Sequence, residues 1–142
     1  MRVEELMSVV KWCNQGDSVR DCARLMKEES LGFVPICDDE GKPIGVVTDR
    51  DLAIRVLAEG RSADDPIDQF ITRDAIACRI GDDLRDAERL MRERRTSRVM
   101  VCDDEGKVRG VISLADIAGV ADDEELGETV QQVKSDQPEA HY

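Results

Sequence analysis

The stretch CDDEGK at positions 37–42 returns unchanged at positions 102–107. When the chain is aligned with itself on this hexapeptide, at an offset of 65 residues, its two halves match without a gap. Positions 13–53 and 78–118 are identical at 20 of 41 places. This match indicates an internal duplication. Because only two copies exist, it predicts two paired units rather than a long solenoid.

Each copy has the pattern of one β-α-β-β-α unit. After a short first strand, residues 16–29 and 81–94 carry apolar side chains at helical spacing. Ser18 and Asp21 have the spacing of a capping box at the start of the first of these helices. Two strands rich in branched residues follow, FVPIC and IGVVT in one copy and RVMVC and RGVIS in the other. A second helix completes the unit.

The repeated CDDEGK lies between these two strands. Gly41 and Gly106 permit the positive φ that tight reversals require, and aspartate favours the start of a turn. Three acidic side chains beside a thiol would also suit a metal ion, but the position between two strands favours a hairpin. We therefore predict a hairpin in each copy and no metal site.

The predicted fold class is α+β, with two β-α-β-β-α repeats packed with pseudo-twofold symmetry. We place the first repeat at 1–62, a linker and the second repeat at 63–122, and an acidic C-terminal tail at 123–142. The tail is predicted to be partly helical, because its apolar residues share one helical face and would dock. These residues are Leu126, Val130 and Val133. His141 is expected to be solvated.

The net charge of the chain is −12, and half of it lies in residues 121–142. Such a charge argues against a nucleic-acid partner, which needs a basic face. Basic residues cluster at 89–98, either as a solvated helix face or as an anion-binding edge that includes Arg98. No apolar run reaches the roughly 18–20 residues of a membrane span, and no signal-peptide pattern is present. We expect a cytoplasmic protein without membrane contact.

A second recurrent pattern, G-x-x-[ST]-x-x-D, joins the last strand of each copy to the following helix. Its residues are Gly45, Thr48 and Asp51 in the first copy and Gly110, Ser113 and Asp116 in the second. This spacing is that of a capping box. It also suits a nucleotide, because a hydroxyl at a helix start can face phosphate while a carboxylate one turn on accepts both hydrogens of a ribose diol.

Duplicated β-α-β-β-α units that each close on this motif resemble a tandem pair of cystathionine-β-synthase (CBS) domains, the Bateman module. The resemblance covers residues 1 to about 120. It implies clefts between the units that bind adenosine compounds such as AMP, ADP, ATP, NAD or S-adenosylmethionine. It further implies a homodimer that regulates an attached or partner protein. The partner of this chain is unidentified.

The resemblance also assigns roles to residues of this chain by position. Thr48 and Ser113 would face phosphate, and Asp51 and Asp116 would hold ribose. The strand before each hairpin would line the base and phosphate. The residues concerned are Phe33, Val34 and Pro35 in the first copy and Arg98, Val99 and Met100 in the second.

The two implied clefts are not equivalent, and the sequence does not decide which of them binds the ligand. Met100 stands where such proteins often have proline, and residues 49–50 (Asp-Arg) are replaced by Leu-Ala at 114–115. The chain lacks G-x-S-x-G and P-loop motifs, and its repeats contain no histidine. We therefore predict a stand-alone sensor that is not an enzyme.

Five cysteines suggest a different class of function. No C-x-x-C is present, which disfavours zinc. In the resembled fold the strands that carry them are parallel neighbours, so two pairs would lie within disulfide reach. The pairs are Cys13 with Cys37 and Cys78 with Cys102. The alternatives are buried reduced thiols, a redox-responsive structural protein with empty clefts, or a purely structural dimer.

Overall fold

The computed structural model describes residues 1–72 and 76–120. The chain divides into two compact units that do not follow chain order. The predicted tail helix and His141 lie outside the described residues. Of the described residues, the first-repeat unit contains 10–72 and 106–108, and the second-repeat unit contains 1–9, 76–105 and 109–120.

The first-repeat unit is built on a three-stranded mixed sheet. Its elements are β1 (Cys13–Asn14), α1 (Val19–Glu29), β2 (Phe33–Cys37), β3 (Pro43–Thr48) and α2 (Asp49–Asp51). A π-helical segment (Leu52–Leu57) continues α2, and a 3-10 turn (Ile67–Phe70) follows. The strand order is β1-β2-β3, with β1 parallel and β3 antiparallel to the central strand.

The strands and helices of the second-repeat unit follow the same β-α-β-β-α order. It contains a 3-10 turn (Val3–Glu5), β4 (Ala77–Arg79), α3 (Leu84–Arg94), β5 (Arg98–Cys102), β6 (Val108–Ser113) and α4 (Leu114–Val120). The strand order is β4-β5-β6, with β4 parallel to β5. The predicted α+β fold of two β-α-β-β-α repeats is confirmed. Among the described residues, every helix is too short or too polar to cross a bilayer.

The predicted capping box starts α1. The Ser18 hydroxyl accepts a hydrogen bond from the Asp21 backbone N–H at 3.1 Å, and the Asp21 carboxylate accepts one from the Ser18 N–H at 3.2 Å. Because the helix begins at this point, Val19, Cys22 and Met26 fall on one face and are buried against the sheet. A matching capping box starts α3.

The repeated CDDEGK forms a hairpin turn in each copy, as predicted. In the first, the Asp38 carboxylate accepts hydrogen bonds from the backbone N–H groups of Glu40 at 2.9 Å and Lys42 at 3.0 Å. Gly41 and Gly106 adopt φ of +83° and +82°, values that a side chain disfavours. The acidic residues therefore shape the turn.

Each repeat is completed by the segment that precedes the other repeat. Val46 in β3 exchanges two backbone hydrogen bonds with Thr72, at 3.0 and 2.9 Å. Val111 in β6 exchanges two with Ser8, both at 2.9 Å. These segments also supply core residues, since Ile67, Phe70 and Ile71 are buried in the first core and Val3 is buried in the second.

Candidate functional site

In the first-repeat unit, Thr48 ends β3 and caps α2. Its hydroxyl accepts a hydrogen bond from the Asp51 N–H at 3.1 Å, and Asp51 Oδ2 accepts one from the Thr48 N–H at 2.9 Å. The capping-box interpretation of this motif is therefore correct. The second carboxylate oxygen of Asp51, Oδ1, lies 4.0 Å from a guanidinium nitrogen of Arg55. With its side chain 20% exposed, Asp51 keeps one oxygen for a further donor.

The second-repeat unit repeats this geometry with Ser113 and Asp116. The Ser113 hydroxyl accepts from the Asp116 N–H at 3.1 Å, and Asp116 Oδ2 accepts from the Ser113 N–H at 3.0 Å. The other carboxylate oxygen of Asp116, Oδ1, takes no part in this cap. Both side chains are half-buried. Each unit therefore presents one hydroxyl and one carboxylate oxygen side by side.

The strand before each hairpin begins beside this motif. Phe33 pairs with Thr48 across the sheet, and the Asp49 N–H donates to the carbonyl of Gly32 at 3.1 Å. In the second-repeat unit the Leu114 N–H donates to the carbonyl of Ser97 at 2.7 Å. These bonds fix the start of each strand against the start of the helix that follows the motif.

The six strand residues assigned to base and phosphate differ in how accessible they are. Phe33 and Arg98 are half-buried, so part of each side chain faces solvent beside its motif. The other four, Val34, Pro35, Val99 and Met100, are buried. A ligand can therefore contact these four buried residues only through their backbone groups.

The glycine of the motif has a role that the sequence reasoning missed. A Cβ atom on Gly45 would stand 2.7 Å from the Thr72 carbonyl oxygen. A Cβ atom on Gly110 would stand 2.6 Å from the carbonyl oxygen of Ser8. Both distances are shorter than those that real Cβ atoms make. The motif therefore needs glycine, because a side chain at this position would keep Thr72 or Ser8 from pairing with the strand.

Of the alternatives for the cysteines, the structure shows buried reduced thiols and does not bring the two possible disulfide pairs together. Cys13 lies opposite Ile36 in the parallel register, so its side chain and that of Cys37 leave the sheet on opposite faces. Cys78 lies opposite Val101 and is separated from Cys102 in the same way. All five cysteines are among the described residues, and they are buried thiols without a disulfide.

Two thiols of the first repeat shift one another's acidity. A hydrogen bond with the Cys22 side chain lowers the pKa of the Cys13 thiol, against the opposing effects of burial and of the Asp17 and Asp21 carboxylates. An open pocket of about 220 Å³ is lined by Cys13 together with Trp12 and Arg24.

The described residues contain no group of three or more histidine, cysteine or acidic side chains placed to hold a metal ion. In particular, the side chain of Asp38 is directed to the backbone of its own turn. The repeated Asp38 side chain therefore has a structural role in its turn.

Comparison with known families identifies the class of protein. The CBS domain model matches residues 3–58 and 67–123, once in each repeat. The chain therefore belongs to the CBS domain family, as a tandem pair of CBS domains.

Two relatives show the range of sizes in which such pairs occur. The chain is 27% identical to the CBS domain-containing protein YhcV of Bacillus subtilis over 115 residues, which are 81% of each protein. It is 32% identical over 101 residues to an uncharacterised protein of Methanopyrus kandleri. This match covers 70% of the chain but 52% of the relative, so the chain spans about half of that protein's length.

Solved structures share the fold. Hypoxic Response Protein I, solved with two coordinated zinc ions, superposes with a TM-score of 0.76 at 24% identity, covering 85% of this chain and 99% of that one. CBSX2 in complex with AMP superposes with a TM-score of 0.68 at 25% identity, covering 83% of this chain and 93% of that one.

Proposed function

We propose that this CBS domain pair is a regulatory module that binds an adenosine nucleotide and catalyses no reaction. The observation that carries the proposal is the hydroxyl and carboxylate pair of the G-x-x-[ST]-x-x-D motif, present with the same geometry in both units. The ligand classes are AMP, ADP, ATP, NAD and S-adenosylmethionine. AMP is the first to test, because CBSX2 was solved in complex with it.

In this proposal the carboxylate of each motif binds the ribose and the hydroxyl binds the phosphate. Asp51 and Asp116 use Oδ1 for the ribose hydroxyls, since Oδ2 of each is engaged by the helix cap. Thr48 and Ser113 accept with their oxygen atoms and retain a hydroxyl hydrogen to donate to phosphate. Binding therefore adds hydrogen bonds without dismantling either cap.

The two sites are expected to differ in affinity. Asp49 and Arg50 are exposed beside the first motif, whereas Leu114 is 6% exposed and Ala115 is uncharged beside the second. A guanidinium group near the first motif offers phosphate a charged partner that the second motif lacks at this position. The second site has Arg98 where the first has Phe33, so each site meets phosphate with a different guanidinium group.

The remaining parts of the proposal follow from the family. We propose a cytoplasmic homodimer that passes the nucleotide signal to a regulated protein, with neither a nucleic-acid nor a membrane partner. The net charge of −12 is consistent with the exclusion of nucleic acid. Such a role requires a ligand-dependent change in the pair, rather than turnover of the ligand.

A ligand series tests the proposal without altering the protein. The affinity of the full chain is measured by calorimetric titration with AMP, 2′-deoxy-AMP, GMP and inorganic phosphate. We expect saturable binding of AMP, and weaker binding of the deoxynucleotide by on the order of 10-fold or more, because a charge-assisted hydrogen bond is lost. Titration with GMP tests whether the site selects the adenine base. Titration with inorganic phosphate tests whether the anion alone is bound.

Two results would count against the proposal. Equal affinity for AMP and 2′-deoxy-AMP would remove the ribose role of the aspartates. Absence of binding by AMP, ADP, ATP, NAD and S-adenosylmethionine in the same titration would leave the pair without a nucleotide function.

A further inference from the structure

Arg55 connects the first motif to the segment that completes the first repeat. One of its guanidinium nitrogens, Nη1, lies 4.0 Å from Asp51 Oδ1. The same nitrogen donates hydrogen bonds to the carbonyl oxygens of Phe70 at 3.0 Å and Ile71 at 3.5 Å. Arg55 therefore stands between the carboxylate that the proposed function assigns to ribose and the backbone of residues 67–72.

The segment 67–72 has two places in the chain. It is part of the first repeat, because Phe70 and Ile71 are buried in the first core and Thr72 exchanges two backbone hydrogen bonds with Val46 in β3. It is also the part of the linker from which the chain continues into the second-repeat unit. A change in how firmly this segment is held is therefore a change in the connection between the repeats.

The contact with Arg55 leaves Asp51 able to bind a ligand. At 4.0 Å the guanidinium nitrogen is beyond hydrogen-bond distance of Oδ1, so this oxygen can still accept from a ribose hydroxyl. An ion pair of a half-exposed arginine usually contributes little, because ordering the long side chain costs entropy. Here the carbonyl groups of Phe70 and Ile71 already hold the guanidinium group, so its pairing with Asp51 requires little further ordering.

The second repeat lacks an arginine at this position. The repeat offset of 65 residues places Val120 at the equivalent of Arg55. Val120 is 41% exposed, and its side chain has neither a charge for Asp116 nor a donor for a backbone carbonyl. The connection through a guanidinium group at this position is therefore a property of the first site.

We propose that Arg55 is a positioning residue that couples nucleotide binding at the first motif to the docking of residues 67–72 on the first repeat. With the segment docked, its carbonyl groups hold the guanidinium group beside Asp51 and orient the carboxylate for ribose. With the segment released, that support is lost and the nucleotide binds less tightly. Because such coupling is reciprocal, a bound nucleotide holds the segment in place. This inference rests on the proposed nucleotide function and adds its regulation.

A double-mutant cycle tests the connection in the ligand-free full chain. Mass spectrometry measures the hydrogen exchange of a peptide that covers residues 67–72 in the wild type, Asp51→Asn, Arg55→Ala and the double variant. Asparagine keeps an oxygen for the Thr48 N–H of the cap but has no charge for Arg55. We expect Asp51→Asn to speed exchange on the order of 2- to 5-fold when Arg55 is present and to have no effect in Arg55→Ala.

The coupling to nucleotide is measured with AMP. The second site is weakened by Asp116→Asn, and Arg55→Ala is compared with its parent in this background at saturating AMP, so that the two proteins have equal occupancy. AMP should slow exchange of residues 67–72 more in the parent than in Arg55→Ala, on the order of 2- to 5-fold.

Calorimetric titration with AMP and with adenosine shows which part of the nucleotide Arg55 affects. Since Arg55 acts through the ribose carboxylate, Arg55→Ala should weaken binding of both compounds by the same factor, on the order of 2- to 5-fold. A loss confined to AMP would instead identify Arg55 as a direct phosphate contact and overturn its role through Asp51.

Arg61→Ala is the matched control. The side chains of Arg55 and Arg61 are 43% and 47% exposed, and both contact the same segment. Arg61 does so through a hydrogen bond to Gln69 and a guanidinium carbon 5.0 Å from the centre of the Phe70 ring. We expect Arg61→Ala to loosen the segment while the responses to Asp51→Asn and to AMP persist.

The outcomes separate this inference from the proposed function. The coupling is overturned if Asp51→Asn acts equally with and without Arg55, or if AMP protects the segment equally in Arg55→Ala and its parent. It is also overturned if Arg61→Ala abolishes both responses, since general loosening then explains them. Absence of AMP binding to the wild type overturns the nucleotide coupling together with AMP as the ligand, whereas a failed cycle in a protein that binds AMP overturns the coupling alone.

Discussion

Gly45 lies directly against the backbone of Thr72, whose carbonyl oxygen is 2.7 Å from the place where a Cβ atom would stand. The same relationship joins Gly110 to Ser8, at 2.6 Å. The glycine of the G-x-x-[ST]-x-x-D motif therefore serves the closure of each unit, while the hydroxyl and the carboxylate serve the helix cap. Any test of ligand binding at the motif has to separate binding from these structural roles.

Substitution of Gly45 by alanine should destabilise the protein. The added methyl group meets the carbonyl of Thr72, a residue that is held to Val46 by two backbone hydrogen bonds, so strain of about 1–3 kcal/mol is expected. Urea unfolding of the wild type and the variant measures the difference. Gly119→Ala is the matched control, because nothing lies within 4 Å of a Cβ there. Its stability should be unchanged or slightly greater, and equal effects of the two substitutions would contradict the account.

Arg92 is expected to contribute more to the stability of the protein than its neighbour Arg89. Its guanidinium forms an ion pair with Glu88, whose side chain is 2% exposed, so truncation removes a charged partner from a buried carboxylate. Arg92→Ala should cost about 1–3 kcal/mol of unfolding free energy. Arg89 pairs at 3.6 Å with Asp86, and both of those side chains are exposed. Arg89→Ala should therefore cost less than about 1 kcal/mol, and denaturant titration in which both variants match would refute this ranking.

Burial of Cys78 should make the protein less stable at alkaline pH. Its pKa is raised from 9.0 to about 12 by burial and by the nearby Asp82 carboxylate. The unfolded chain therefore loses this proton at lower pH than the folded chain. The contribution to stability is fully present below about pH 9 and is lost as the pH rises towards 12. Unfolding free energies at pH 8, 9 and 10 in the wild type and Cys78→Ala measure it.

The unfolding free energy of Cys78→Ala should fall less steeply between pH 8 and pH 10 than that of the wild type. Cys22 and Cys102 also have raised pKa values, so part of the decline is expected to persist in Cys78→Ala. Parallel curves for the two proteins would show that Cys78 does not contribute.

The repeat and its elements were predictable because local signals agree with one another. The offset of 65 residues, the apolar face of α1 with Cys22 and Met26, and the turn glycine Gly41 all indicate the same unit. The capping role of the motif was predictable for the same reason, since Thr48 and Asp51 lie within one helical turn.

Features that depend on distant partners were not predictable. Nothing in the spacing of residues 1–9 or 67–72 indicates that each segment closes the opposite repeat. The sequence left the state of the cysteines open, because a shift of one residue in register sends Cys37 to the other face of the sheet, and strand spacing alone does not fix register.

The central claim is that the aspartates of the motif hold a nucleotide. The most direct measurement is calorimetric titration of AMP into the wild type, Asp51→Ala, Asp116→Ala and the double variant, well below the melting temperature of each. Loss of a charge-assisted hydrogen bond should weaken binding on the order of 10–100-fold at the altered site. The cap is lost as well, at a cost of about 1 kcal/mol in stability.

The control for that loss of the cap is Asp86→Ala, which removes the equivalent carboxylate from the capping box of α3. The account predicts that this variant is destabilised to a similar extent but binds AMP like the wild type, while the double variant loses binding. Wild-type affinity in a folded Asp51→Ala, Asp116→Ala double variant would contradict the account and leave these aspartates as helix caps alone.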